Sequence, residues 1–265
     1  MADQIARALG SPVTVPLAHP GEYLSRNDGL ARHVHVPPAE TRPEVSAAFP
    51  PVVMAELVRD ARPVSLRRGT VLFNKGDPVT TCWFTLKGVV KLTVSTSQGH
   101  ERILALQGKG TMVGALGLMD DQPHSTAGAT LTDCHMMAIP AASFAESRNR
   151  HPEVEGVLVR ILAGKLRQAA ENAAWGGLLN ARQRIARALL EFATLLGEPA
   201  GEGQTTIDRA ITHGDIGALA FVSREEVTRT LGNWKRAGLI GVAAGQALVV
   251  NVQALGREAA DPPMV

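Results

Sequence analysis

Between about residues 64 and 140 the apolar positions come in short runs. VSLRRGTVLFNKGD, TCWFTLKGVVKLTVS and HERILALQGKG are rich in Val, Leu, Thr and Phe, and each is closed by Gly or Asp. Recurrence at roughly 10–15 residues predicts a sandwich or roll of short antiparallel strands. From about 143 the period lengthens. Val154, Leu158, Ile161, Leu162, Leu166, Ala169 and Ala173 follow three- and four-residue steps, which predicts one apolar face of a long helix. Its narrowing to alanine suits close packing on a second helix of its kind; an ordinary core helix fits the spacing equally well. Gly176-Gly177 is expected to end it. NARQRIARALLEFATLLG predicts another amphipathic helix stopping at Gly197, and EPAGEGQTT predicts a loop.

The segment THGDIGALAFVSREEVTRTLGNWKRAGLI, residues 212–240, predicts a short helix, a tight turn and a second helix. Ser223 followed three residues later by Glu226 is a capping-box pattern that fixes the start of the second helix. Ile216, Leu219, Val227, Leu231 and Trp234 have the spacing to pack the two helices together. That leaves Arg224, Glu225, Thr228 and Arg229 outside, near the N-terminus of the second helix. A recognition helix needs its readers there: Arg grips guanine O6/N7 and Glu accepts from cytosine N4. GLIGVAAGQALVVNV predicts two short strands around Ala-Gly-Gln, as in a wing. Together these features predict a winged helix-turn-helix.

Composition and charge narrow the picture without redirecting it. The net charge of +2 is nearly neutral, and residues 180–265 hold nine Lys/Arg against nine Asp/Glu, so DNA binding rests on local placement. No window approaches the ~18 uninterrupted apolar residues of a membrane span, and the N-terminus does not read as a secretory signal, so a cytoplasmic protein is expected. Cys82 and Cys134 are too few for a disulfide framework or a four-thiolate cluster. Residues 1–50 are rich in Pro and Gly without a sustained period and are expected to have little structure of their own. His33, His35 and Glu40 stand at a spacing that cupin metal sites also use, which would make the chain a metalloenzyme. The flanking prolines oppose the barrel strand such a site requires, so no enzyme activity and no metal is expected.

These features together resemble the CRP/FNR family of bacterial transcription regulators over about residues 55–255. RRGTVLFNKGDPVTTCWFTLKGVVKL is similar to the family's opening strands. GALGLMDDQPHS, extended through TAGATLTDCHMMAI, is similar to its phosphate-binding cassette, and SREEVTRTL to its recognition helix. The resemblance implies an α+β chain in four parts: an N-terminal extension (1–50), a β-roll sensor (51–149), a dimerisation helix (150–178) and a winged helix-turn-helix (179–265). It implies base-reading roles for Arg224, Glu225 and Arg229; Ser223 is expected to cap their helix, and Thr228 and Lys235 to make phosphate or rim contacts. Its partners would be double-stranded DNA at a palindromic TGTGA-like site, a second copy of the chain, and RNA polymerase.

The cassette departs from the family's cyclic-AMP-binding pattern. Gly114, Ala115, Leu116 and Gly117 stand where those members have Gly-Glu-Leu-Gly, and His124-Ser125 where they have Arg-Ser. Alanine cannot accept a hydrogen bond from ribose, and a neutral histidine lacks the arginine fork. Ala169 and Ala170 occupy the positions of a polar Thr-Ser pair that faces the base. Each lost charged hydrogen bond is worth roughly 1.5–3 kcal/mol, so tight cyclic-AMP binding is not expected. Three readings stay open: a vestigial pocket, a different ligand, or a haem site using His124, Cys82 or Met112. The family's turn between the two helices usually holds Gly, whereas this chain has Phe221. Gly232 also lies within the recognition helix.

Overall fold

The computed structural model describes residues 56–260 apart from 58, 96–98, 100, 202, 208–209 and 244–247. His33, His35 and Glu40, with the whole 1–50 segment, lie outside the described residues, as does the Ala-Gly-Gln of the wing. Eight strands form the roll: β1 Arg62–Leu66, β2 Val71–Phe73, β3 Thr81–Lys87, β4 Val90–Ser95, β5 Glu101–Gln107, β6 Met112–Val113, β7 Ala127–Thr130 and β8 Cys134–Pro140. They make two four-stranded antiparallel sheets, ordered β1-β8-β3-β6 and β2-β7-β4-β5. In β8, Cys134, Met136, Met137 and Ile139 are buried and His135 is exposed, so both faces of the strand are covered beyond its first two residues. Gly88 turns β3 into β4 at φ +91°, and a Cβ there would lie 2.6 Å from Cys134 Sγ. The turn therefore needs glycine both for its backbone conformation and for space.

A short helix, α1 Gly117–Asp120, lies within the cassette between β6 and β7, and two helices follow the last roll strand: α2 Ala141–Arg150 and α3 Glu153–Leu178. Helix α3 ends at Leu178, directly after the expected Gly176-Gly177 stop. One expectation about α3 is corrected: its apolar residues divide between two faces. Val154, Val157 and Leu158 are buried against Phe84, Met112, Ile139 and Phe144 of the roll and α2. Leu166, Ala169 and Ala173 are exposed. The outer face carries Val159, Ala163, Leu166, Ala170, Ala173 and Gly177, in alternating steps of four and three residues, with Val159 63% and Leu166 72% exposed.

Helix α4, Ala181–Leu196, starts with a reciprocal capping box between Asn180 and Gln183 and buries Ile185, Leu189 and Phe192. The segment predicted as a loop instead forms a hairpin, β9 Glu198–Gly201 and β10 Gln204–Ile207. Thr205 and Thr206 suit a strand, Ile207 is buried, and the turn lies at Gly201 and Gly203, both with positive φ. Next come α5 His213–Ala220, α6 Arg224–Arg236, β11 Ile240–Val242, β12 Leu248–Asn251 and α7 Val252–Ala259. The hairpin joins the wing strands in a sheet ordered β11-β12-β10-β9. Helix α7 packs on α4 through Leu255 and Ala259, and Arg182 of α4 pairs with Glu258. Among the described residues no helix is long and apolar enough to cross a membrane.

Candidate functional site

Helices α5 and α6 meet through Ile216, Ala220, Val227, Leu231 and Trp234, all buried, with Leu219 packed beside them. The opposite side of α6 is open. Arg224, Glu225, Thr228, Arg229, Gly232 and Lys235 are all exposed, and helical geometry sets them on one side. Gly232 sits amid these residues with nothing within 4 Å of where a Cβ would be. The helix backbone can therefore approach a partner surface closely at that point.

Ser223 caps α6 by accepting from Glu226 N at 3.1 Å. Only this half of the expected box forms, because the Glu226 carboxylate turns instead to Arg229 one turn on. That ion pair holds Arg229 on the outer face, its side chain 71% exposed. Glu225 is held below the usual carboxylate range by its own amide N–H and the Ser223 hydroxyl, so it remains an acceptor. The Thr228 hydroxyl donates to Arg224 O at 2.9 Å and lies 2.8 Å from His213 Nδ1 at the start of α5. With its proton committed to Arg224 O, Thr228 accepts from His213, which fixes the proton on Nδ1. His213 thus joins this surface. The sequence reading missed it because its partner lies 15 residues away across a turn.

Phe221 adopts φ 56° and ψ 46°, the left-handed conformation expected of that turn. A bulky residue there costs about 1–2 kcal/mol. Its ring is covered by Arg102 of β5, whose guanidinium carbon lies 3.5 Å from the ring centroid.

In the cassette, the structure brings Gly114 and His124 together and packs the rings of Phe73 and Trp83 beside them. Phe73 stacks on His124 with centroids 3.7 Å apart and planes 12° apart, and Trp83 stacks on Phe73 at 5.6 Å. A Cβ on Gly114 would stand 3.2–3.3 Å from all three rings. Ala115 is buried in the cluster beneath α3, whereas Leu116 and Ser125 are exposed and Gly117 is buried in α1. Ala169 and Ala170 stand exposed on α3, apart from this ring cluster. Burial pushes the His124 pKa down against the opposing pull of Asp77.

Because folded His124 binds its proton more weakly than the unfolded chain does, its contribution to stability is complete above about pH 6.5. It is lost as the pH falls below that value towards the lower folded pKa. Urea midpoints should therefore drop between pH 7.5 and 5.5, and His124→Phe should flatten that drop. An unchanged slope in the variant would assign the pH dependence to other groups.

The haem candidates fare poorly as ligands. Cys82 is fully buried, its thiol pushed up to about 12 by burial. Met112 is buried in the same cluster, and the His124 ring face is covered by Phe73. Among the described residues no three His, Cys, Asp or Glu side chains gather as a metal site requires. A separate cleft of about 460 Å³ opens beside α1, lined by Val79, Leu118, Asp121, Pro123, Ala141 and Ala145 and without a cationic side chain.

Residues 63–151 match the cyclic nucleotide-binding domain family, and residues 183–258 match the Crp-like helix-turn-helix domain family. A roll of the first kind joined by a long helix to the second defines a class of transcription regulator with a sensory and a DNA-binding part. The cyclic AMP receptor protein of Thermus thermophilus is 30% identical over 178 residues, 67% of this chain and 79% of that protein. A CRP-like cAMP-activated global transcriptional regulator of Mycobacterium tuberculosis is 27% identical over 209 residues, 79% of this chain and 93% of that protein. The FixK2 structure from Bradyrhizobium japonicum superposes with a TM-score of 0.66 at 23% identity, covering 76% of this chain and 98% of that one. The chain belongs to the CRP/FNR family of DNA-binding transcription regulators.

Proposed function

We propose that this protein regulates transcription as a homodimer on a palindromic TGTGA-like site, without cyclic AMP as its switch. Residues 51–149 form the sensor, 150–178 the pairing helix and 179–265 the DNA-binding part. Arg224, Glu225 and Arg229 read base edges, with Ser223 capping their helix. Lys235 contacts phosphate, and so does Thr228 once its hydroxyl turns from Arg224 O to donate to a phosphate oxygen. A second copy covers the outer stripe of α3, whose heptad spacing and small residues suit a close helix pair.

The observation that carries the ligand-independent reading is the stack of Phe73, Trp83 and His124 against Gly114. A cyclic phosphate needs exposed N–H donors and a cation at that place. Here it would meet ring carbons and a histidine biased towards its neutral form. A glutamate at position 115 would also enter an apolar cluster. A second reading rests on the cleft beside α1: its lining, free of cationic groups, suits an uncharged small molecule better than a nucleotide.

Fluorescence anisotropy with a TGTGA-type palindromic duplex and a scrambled control, at ~150 mM salt, tests this. Specific binding should be the same with and without cyclic AMP. Binding that appears only with cyclic AMP would overturn the ligand-independent reading, because the rings would then have to move aside. The absence of specific binding under both conditions would overturn the assigned operator.

A further inference from the structure

The DNA-binding part does not hang free of the roll. Val89, Ile103, Leu106 and Leu131 of the roll share one buried cluster with Ile185, Leu189 and Phe192 of α4 and with Ile216 and Ala220 of α5. At the end of β5, Gly108 leaves room for Leu195 of α4, whose Cδ2 would lie 3.0 Å from a Cβ there. Polar contacts frame this apolar patch. The Asp215 carboxylate accepts from Thr212 N at 3.0 Å, capping α5. The same carboxylate meets Arg68 at 3.4 Å and Lys91 at 3.9 Å, both from the roll. Lys91 also pairs with Glu101 at the start of β5. Beside them Arg102 lies over the ring of Phe221.

We infer that the β4–β5 ribbon is a seat that holds the helix-turn-helix in its DNA-reading orientation, and that Phe221 is the turn residue through which it holds. This inference rests on the DNA-binding reading above. Phe221 occupies a backbone conformation that favours glycine, so its side chain must be retained for something outside the turn. Its ring meets the guanidinium of Arg102 on the roll, 3.5 Å from the ring centroid. The seat engages α5 and the turn and leaves the outer face of α6 open. Orientation matters because two recognition helices must match half-sites about one DNA turn, ~34 Å, apart. A domain that swings freely would have to be ordered at each binding event.

The test uses the full chain with Arg102→Ala, Phe221→Gly and the double variant. Glycine is favoured at that φ, so the turn folds in the second variant, and any loss there reports the missing ring. Each single change should weaken specific DNA binding about tenfold, and the double should be no weaker than either single, since both remove one contact. Amide hydrogen exchange over 213–221 should accelerate in all three variants while that of α3 stays unchanged. Affinities within twofold of the parent with unchanged exchange would overturn the seat. So would tighter binding in the variants, which would make the contact a restraint. If the parent itself binds no DNA specifically, the DNA reading fails, and the exchange comparison still decides whether the seat exists.

Discussion

Leu166→Glu should leave the protein monomeric and weaken its binding to a palindromic duplex by about 10²–10⁴-fold, the factor that separates two linked half-site contacts from one. Leu166 is the largest side chain on the outer stripe of α3 after the stripe narrows to alanine, and it is 72% exposed in the single chain. In a two-fold pair the same residue returns on the partner, so one substitution places two carboxylates in one apolar seam. Neither charge would have a basic partner along Ala163, Ala170, Ala173 and Gly177. The roll-facing side of α3, with Val154, Val157 and Leu158, is untouched, so the fold of each chain should persist. Sedimentation velocity beside DNA anisotropy checks this. A dimer of unchanged mass in the variant would remove the pairing helix from the proposal.

Arg224→Ala should cost about 1–3 kcal/mol on the preferred duplex and flatten the preference at one base pair. Arg224 is the first residue of α6 and exposed, immediately after the Ser223 cap, where a recognition helix points into the groove. It differs from Arg229, which must give up its pairing with Glu226 before it meets a base. The loss at Arg224 should therefore be the larger of the two. Anisotropy against duplexes substituted one base pair at a time reads both the cost and the base involved. Equal losses on preferred and scrambled DNA would make Arg224 a phosphate contact, and a slope against log salt reduced by about one would accompany that result.

The helix-turn-helix was legible because its determinants are local. Ser223, the apolar steps from Ile216 to Trp234 and the exposed arginines all act within a few turns of chain. The hairpin β9–β10 was not legible. Its strands are short, and its pairing partner β12 stands more than 40 residues downstream, so the glycines around it read as loop. The long helix was visible from its period, but a period cannot tell a helix with one apolar face from one with two. Only the roll, packed on Val154 and Leu158, separates the inner stripe from the outer.

The cassette divides in the same way. Ala115 and His124 were legible as residues that supply neither a carboxylate nor a guanidinium. What packs beside Gly114 was decided in three dimensions, because Phe73, Trp83 and His124 come from separate strands and loops and stack only once the two sheets close. Phe221 shows the same split. The sequence marked it as unusual for its turn, whereas its contact with Arg102 of the roll appears only in the folded chain. Short-range propensity and spacing thus determined most of the elements, their order along the chain and the residue types at positions 115 and 124. Long-range packing, which depends on contacts that no window of sequence contains, decided which faces meet, which rings stack beside Gly114 and where the helix-turn-helix touches the roll.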